Sequence, residues 1–389
     1  MSQRNRGKNL TYLRSINKGS VIKHILINGS SSQQQLSEKT NLTRMGVKYI
    51  TDDLLKKDII EERQCENDGG EKKTPGRKQR QLYIKHGKLY AIGVYIARDY
   101  INFSLADIEG NIIKSTRIEL DSKTTKAYLT NLICSRLKHF IKGLGDKHIL
   151  GIGVNVVGQI DMHSYVVVYT TNFYGISDWD IKSILEEKFS LPVYVTNDMK
   201  AASLAESFYG AARGMTDFIY LGITQGIGAG IIINEQLLEG KRGFAGDIGH
   251  ISINNKGKKC PCGNIGCIEQ YLSVPALLKS SKTETWGQFI QMNERDITNR
   301  YLARLIDDLS IVLTNIINIF EPQAVIIGHE GSFLNPYCFD KLQICVDEQT
   351  LAKKLGKVNI LPSMLGNSVS CLSAPAFVFS LLFQGIIEV

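Results

Sequence analysis

The sequence lacks several things. Its start, Met1-Ser2-Gln3-Arg4, continues polar, with no apolar stretch of the kind that leads a secreted chain. Val358 to Ile387 carries no charge, but Pro362, Gly366, Asn367 and Pro375 interrupt it. Its mostly apolar part, residues 374–387, is shorter than the ~18 to 20 residues that span a bilayer. A buried terminal helix is expected there. Eight cysteines in 389 residues are too few and too clustered for a disulfide scaffold. Cys65, Cys134, Cys338, Cys345 and Cys371 are scattered and expected to be reduced. A cytoplasmic protein is implied.

What is present is an uneven charge. Residues 1–90 hold 19 Lys/Arg against 9 Asp/Glu, a net of +10; the whole chain is +8, so the remainder is −2. A basic N-terminal module therefore precedes a near-neutral body, and a polyanion is its expected partner.

Within that module, Leu13, Ile16, Ile22, Ile25 and Leu26 predict a helix ending near Gly29-Ser30. Ser32 to Gln35 fits a capping box that opens a short helix to about Thr40. Thr43 is the expected N-cap of a third helix running to about Lys56. Two short helices joined by a tight turn, the second starting polar and basic, match a helix-turn-helix. The segments 59–63 and 81–84 predict a hairpin, the wing. Lys72, Lys73, Arg77, Lys78 and Arg80 at or beside its tip suit phosphates. Ser31, Thr43, Arg44, Lys48 and Tyr49 are expected to face double-stranded DNA. A three-helix interaction module with a solvated basic loop would share the helix pattern.

From about Leu89, apolar strand-like runs at 91–94, 149–156, 193–196, 218–221, 230–233 and 324–328 are mostly separated by helical stretches such as 124–141 and 302–320. The body is therefore α/β. In it, His250 precedes Cys260-Pro261-Cys262-Gly263-Asn264-Ile265-Gly266-Cys267. Three thiolates and an imidazole form a closed set of the kind that holds structural zinc.

Several segments resemble the ROK family, which groups sugar kinases with sugar-responsive repressors. Residues 240–250 resemble its Gly-x-x-Gly-x-Ala-Gly-Glu-x-Gly-His segment, and Asn197 to Ala202 its Asn-Asp-x-x-Ala-Ala segment. Gly226 to Gly230 resembles its second phosphate loop, and residues 321–328 the strand near its nucleotide base. The resemblance runs from about residue 89 onward, and the preceding winged module is similar to that of the family's repressors.

It implies three parts: a winged helix-turn-helix over 1–88, and two actin/hexokinase-like (RNase H-like) α/β lobes over 89–198 and 199–389. The terminal helix, about 374–387, would pack back on the first lobe. Sugar ligands would be Asn172, Asn197, Asp198, Asp247, His250 and Glu269. Asp247 stands where the family has Glu, one methylene shorter.

The family's kinases open with Asp-x-Gly-x-Thr. Here Tyr95, Ala97 and Asp99 occupy those places. Thr224-Gln225 replaces Gly-Thr, and Gly328-His329 replaces a Gly-Gly pair. An acidic loop bearing Cβ atoms is a poor phosphate cradle. The expectation is a sugar-responsive repressor without enzymatic activity. It would be a homodimer or tetramer that binds operator DNA and a small sugar or sugar phosphate. An ATP-dependent sugar kinase with an appended module is the alternative.

Overall fold

A computed structural model describes residues 10–64, 80–121, 124–145, 147–161, 163–170, 173–354 and 356–389. The expected sites at Asn172, Lys72, Lys73, Arg77 and Lys78 lie outside these residues.

The chain opens with α1 (Leu10–Asn28), α2 (Gln33–Thr40) and α3 (Arg44–Lys56). Ser32 caps α2: its hydroxyl accepts from the Gln35 amide, and the Gln35 side chain accepts from the Ser32 amide. The Thr43 hydroxyl accepts from Gly46 N at the start of α3. An antiparallel hairpin follows, β1 (Ile60–Gln64) with β2 (Arg80–Ile84). Val21, Ile22, Ile25, Leu36, Val47, Leu54 and Leu82 close the core of this head.

The body repeats one topology. Its first sheet has β3 (Leu89–Ile96), β4 (Tyr100–Asp107) and β5 (Ile112–Glu119) as an antiparallel meander. After α4 (Lys126–Ile141), β6 (His148–Val156) pairs parallel with β3. A small sheet of β7 (Gln159–Ile160), β8 (Val167–Tyr169) and β9 (Ser177–Trp179) follows, then α5 (Ile181–Phe189). The strand β10 (Val193–Asn197) pairs parallel with β6 and runs straight into α6 (Asp198–Tyr209).

The second sheet has β11 (Phe218–Ile223), β12 (Ile227–Ile233) and β13 (Gln236–Leu237) as its meander. Four helices come next: α7 (Glu269–Leu272), α8 (Val274–Ser281), α9 (Trp286–Arg295) and α10 (Arg300–Phe320). Then β14 (Ala324–His329) pairs parallel with β11, and α11 (Pro336–Gln349) leads to β15 (Asn359–Pro362), parallel with β14. The two sheets thus share one order, β10-β6-β3-β4-β5 and β13-β12-β11-β14-β15. The β3, β11 and β14 ends and the β10–α6 junction approach one cleft, where open α/β sheets place ligands.

The last helix, α12, spans Val369–Phe383. It begins earlier and ends earlier than the expected 374–387, and it runs through Pro375 without breaking. Pro375 has no N–H to bond the carbonyl of Cys371. The Ser104 hydroxyl of β4 donates to that carbonyl instead, at 2.7 Å. The 18 residues Gly366–Phe383 are apolar enough to match a membrane span, yet 78% buried. They are the central core helix, set against β3, β4, β6, α6 and α1. Gly19 of α1 lies so close to the Leu382 and Phe383 carbonyls that any side chain there would collide. Head and body share a single hydrophobic cluster.

Candidate functional site

The cleft between the sheets is lined at one end by Asn197, Asp198, Asp247, His250 and Glu269. Asn197 caps α6: its Oδ1 accepts from Met199 N at 3.0 Å and Lys200 N at 3.3 Å, and its Nδ2 donates to Gly158 O at 3.1 Å. Asp198 is the first residue of α6 and is buried, and that burial pushes its carboxyl up to about 6. The Arg98 guanidinium pulls the other way. Glu269 opens α7, and its Oε2 accepts from Ile227 N at 3.1 Å. Asp247 Oδ2 accepts from Gln159 Nε2 at 2.8 Å, from the first half of the body.

Sequence reasoning missed three side chains here. Gln159 is one. Arg98 donates to Gln225 O at 2.7 Å. Lys200, only 3% exposed, donates to Gly243 O at 2.9 Å and Glu239 O at 3.3 Å, pinning the loop that leads to Asp247. Burial lowers its pKa. A lysine set between Met199 and the Ala201-Ala202 pair was the available signal.

Tyr95 and His329 also line the cleft and belong to an aromatic chain. Tyr95 Oη lies 2.9 Å from His329 Nε2, and Tyr220 Oη lies 2.8 Å from His329 Nδ1. All three are buried, and burial lowers the His329 pKa to about 4, so the imidazole is neutral. The His329 backbone N–H also donates to Tyr220 Oη, at 3.2 Å. Tyr220 Oη accepts that N–H and shares a second hydrogen bond with Nδ1. In the neutral ring one nitrogen donates and the other accepts, so both are used, each by a tyrosine hydroxyl.

Beside the acidic end, the Cys260–Cys267 loop returns to His250. The four ligand atoms of His250, Cys260, Cys262 and Cys267 lie within 4.8 Å of one another. His250 Nδ1 is 3.7 Å from Cys260 Sγ, and Cys262 Sγ is 3.7 Å from Cys267 Sγ. The loop needs Gly266, whose φ of +78° and contact with Asn254 leave no room for a side chain. Gln270 Nε2 donates to Cys260 Sγ at 3.7 Å. This cluster can hold a metal ion.

On the head, Arg44, Lys48 and Tyr49 stand on the outward face of α3. Tyr49 is 68% exposed. The exposed Thr43 commits its hydroxyl to the cap. Arg80 is ion-paired with Glu62 at 2.7 Å on the hairpin stem. Ser31, expected to face DNA, is instead buried, at 4% exposure. Its N–H and C=O pair with Leu82, so it extends the hairpin as an edge bridge and its side chain turns inward.

A repeated α/β body with a polar cleft and a cysteine–histidine cluster beside it, bearing a three-helix head, defines the class. The chain belongs to the ROK family, whose model matches residues 91–379. It is 32% identical over 385 residues to the xylose repressor of Bacillus subtilis, covering 95% of this chain and 96% of that one. A ROK family transcriptional regulator, a homologue of the Escherichia coli MLC protein, has the same fold with TM-score 0.77 at 21% identity. That match covers 96% of this chain and 98% of the regulator, head included. A ROK family glucokinase from Streptomyces griseus, solved with glucose and AMPPNP, matches with TM-score 0.65 at 24% identity. It covers 74% of this chain and 98% of the kinase.

Proposed function

We propose that this protein is a sugar-responsive transcriptional repressor acting in the cytoplasm. The head, residues 1–88, serves as a winged helix-turn-helix, with α3 as the recognition helix and Arg44, Lys48 and Tyr49 toward the operator. The lobes 89–198 and 199–389 hold the effector between them. Asn197, Asp198, Asp247, His250 and Glu269 offer carboxylates, an amide and an imidazole to adjacent hydroxyls, a donor set that rejects a wrong epimer by leaving a desolvated group unpaired. Asn172 and the basic residues Lys72, Lys73, Arg77 and Lys78 remain part of the same proposal. Reading two half-sites calls for a homodimer.

The observation that supports a regulator over a kinase most is the Tyr95–His329 hydrogen bond. It engages the position where the resemblance to the family's kinases puts the acidic residue of the phosphate loop, in the lining of the cleft. Asp198 matches their base, and a base without a nucleotide site transfers no phosphate.

Zinc is the metal we infer for the cluster. Zn–S bonds of about 2.3 Å in a tetrahedron put sulfurs about 3.8 Å apart, close to the observed 3.7 Å. Four protein ligands leave no open position, so the ion would brace the loop. With Nδ1 turned to the thiols, His250 keeps Nε2 for the cleft.

The test is a fluorescence-anisotropy titration on duplex DNA from upstream of the protein's own gene, against a scrambled duplex. It is run over a salt series and then with a sugar panel that begins with D-xylose. Selective, salt-steep binding that a sugar changes is expected. Equal weak binding to both duplexes, or ATP-dependent phosphorylation of a panel sugar, would overturn the reading.

A further inference from the structure

We propose that Arg213 is the joint through which the cleft moves the head, a positioning residue for the response rather than a ligand of sugar or DNA. The inference rests on the repressor reading and adds the route of its regulation.

The observation is a pair of hydrogen bonds between body and head. Arg213 Nε donates to Ile27 O at 2.5 Å, and its Nη2 donates to Leu26 O at 2.9 Å. Those carbonyls belong to the last turn of α1, which ends at Asn28. A helix leaves its final carbonyls without internal partners, and its C-terminal end attracts a cation. Here the body supplies the cap. Just beyond, Ser31 is tied to Leu82 of the hairpin and Ser32 caps α2, so the end of α1 sets where α2 and α3 lie.

The other end of the connection is in the cleft. Arg213 follows α6, whose first residue is Asp198 and whose N-cap is Asn197. Twelve residues make a rod about 18 Å long. Every α6 residue from Asp198 to Glu206 is buried, as is Phe208. A helix embedded in close-packed surroundings shifts as a unit rather than bending. Displacement of Asp198 by an occupant of the cleft therefore reaches Arg213.

A pivot lies alongside. Phe208 of α6 meets Phe383 of α12 edge-on, with centroids 5.0 Å apart. Gly19 of α1 rests on the backbone of Leu382 and Phe383. The helices α6 and α1 thus bear on the same end of α12, while Arg213 fastens the end of α1 to the turn after α6. Tilting α6 about that contact turns the end of α1. Regulation follows if sugar favours one tilt over the other.

The test compares full-length wild type with Arg213→Ala and Arg213→Lys. Three quantities are measured: sugar affinity by calorimetry, operator affinity without sugar, and the ratio of operator affinities with and without saturating sugar. D-xylose is the first probe, followed by the rest of the panel. Couplings of this kind span about 5- to 150-fold. Arg213→Ala should keep both affinities within about threefold of wild type while its ratio collapses to less than about threefold. Arg213→Lys, with one charge and no fork, should fall between.

An undiminished ratio in Arg213→Ala would overturn the inference. So would joint loss of sugar and operator binding in a variant that still unfolds cooperatively, since Arg213 would then only hold the fold. If Arg213→Ala does not fold, a wild-type ratio in Arg213→Lys overturns it equally. A wild type that ignores every sugar overturns the repressor reading itself, and this inference with it.

Discussion

Tyr95 at the end of β3 and His329 at the end of β14 share a 2.9 Å hydrogen bond that joins the two sheets of the body. Tyr95→Phe would remove the hydroxyl that pairs with Nε2 and leave a buried polar ring atom without that partner. A loss of about 1 to 3 kcal/mol is expected in urea unfolding. No ATP turnover should appear, because Ala97, Asp99 and His329 still occupy the corresponding loops. A variant as stable as wild type would show that the bond carries nothing.

Asp198 gives a prediction with a pH sign. Its folded pKa of about 6 lies above the ordinary 3.8, so its neutral form is favoured in the fold. The carboxyl's favourable share of stability is full below about pH 4 and is lost as pH rises through 6. The difference, 6 − 3.8, is about 2 units, or at most about 3 kcal/mol. Asp198→Asn should therefore be more stable than wild type at pH 8, by about 1 to 3 kcal/mol, with the gain fading by pH 4. The same variant should bind the panel sugars at least tenfold more weakly, about 1.4 kcal/mol. Equal gains at both pH values would contradict the burial account.

Cys262→Ser removes one of the four converging ligands. Bound zinc, read by elemental analysis, should fall from about one per chain to far below that at micromolar free metal. The sugar response should go with it, because His250 and Glu269 flank the loop. A full response in a zinc-free variant would separate the cluster from the cleft.

Arg44→Ala and Lys48→Ala act at the exposed face of α3. Each should weaken operator binding, and a lost phosphate contact should lower the log–log salt slope by about one. An unchanged affinity at every salt concentration would move the interface elsewhere.

Much of this was legible in the sequence. The Ser32–Gln35 box, the Thr43 cap and the cysteine cluster depend on close spacing, and each formed as read. The buried parallel strands announced themselves as continuous apolar runs. What escaped depended on distant partners. The edge strand β5, Ile-Ile-Lys-Ser-Thr-Arg-Ile-Glu, is exposed along nearly its whole length and has no alternation to detect. Pro375 looked like a break because the Ser104 hydroxyl that rescues the freed carbonyl is 271 residues away, 375 − 104. Ser31 looked like a surface residue because its partner, Leu82, lies across the hairpin. Tyr220 stood in an apolar run and gave no sign of its hydroxyl's destination.

The position of α12 bears on how the chain is made. The head is synthesised first, yet Val21, Ile22 and Ile25 share a core with Leu382 and Phe383. The first sheet likewise waits for α12 to fill its face. At roughly 5 to 20 residues per second, α12 follows α1 by about 17 to 70 seconds. A chain cut short before α12 would carry the whole head without its floor. On the proposed function, such a fragment would lack the fixed head that operator binding calls for.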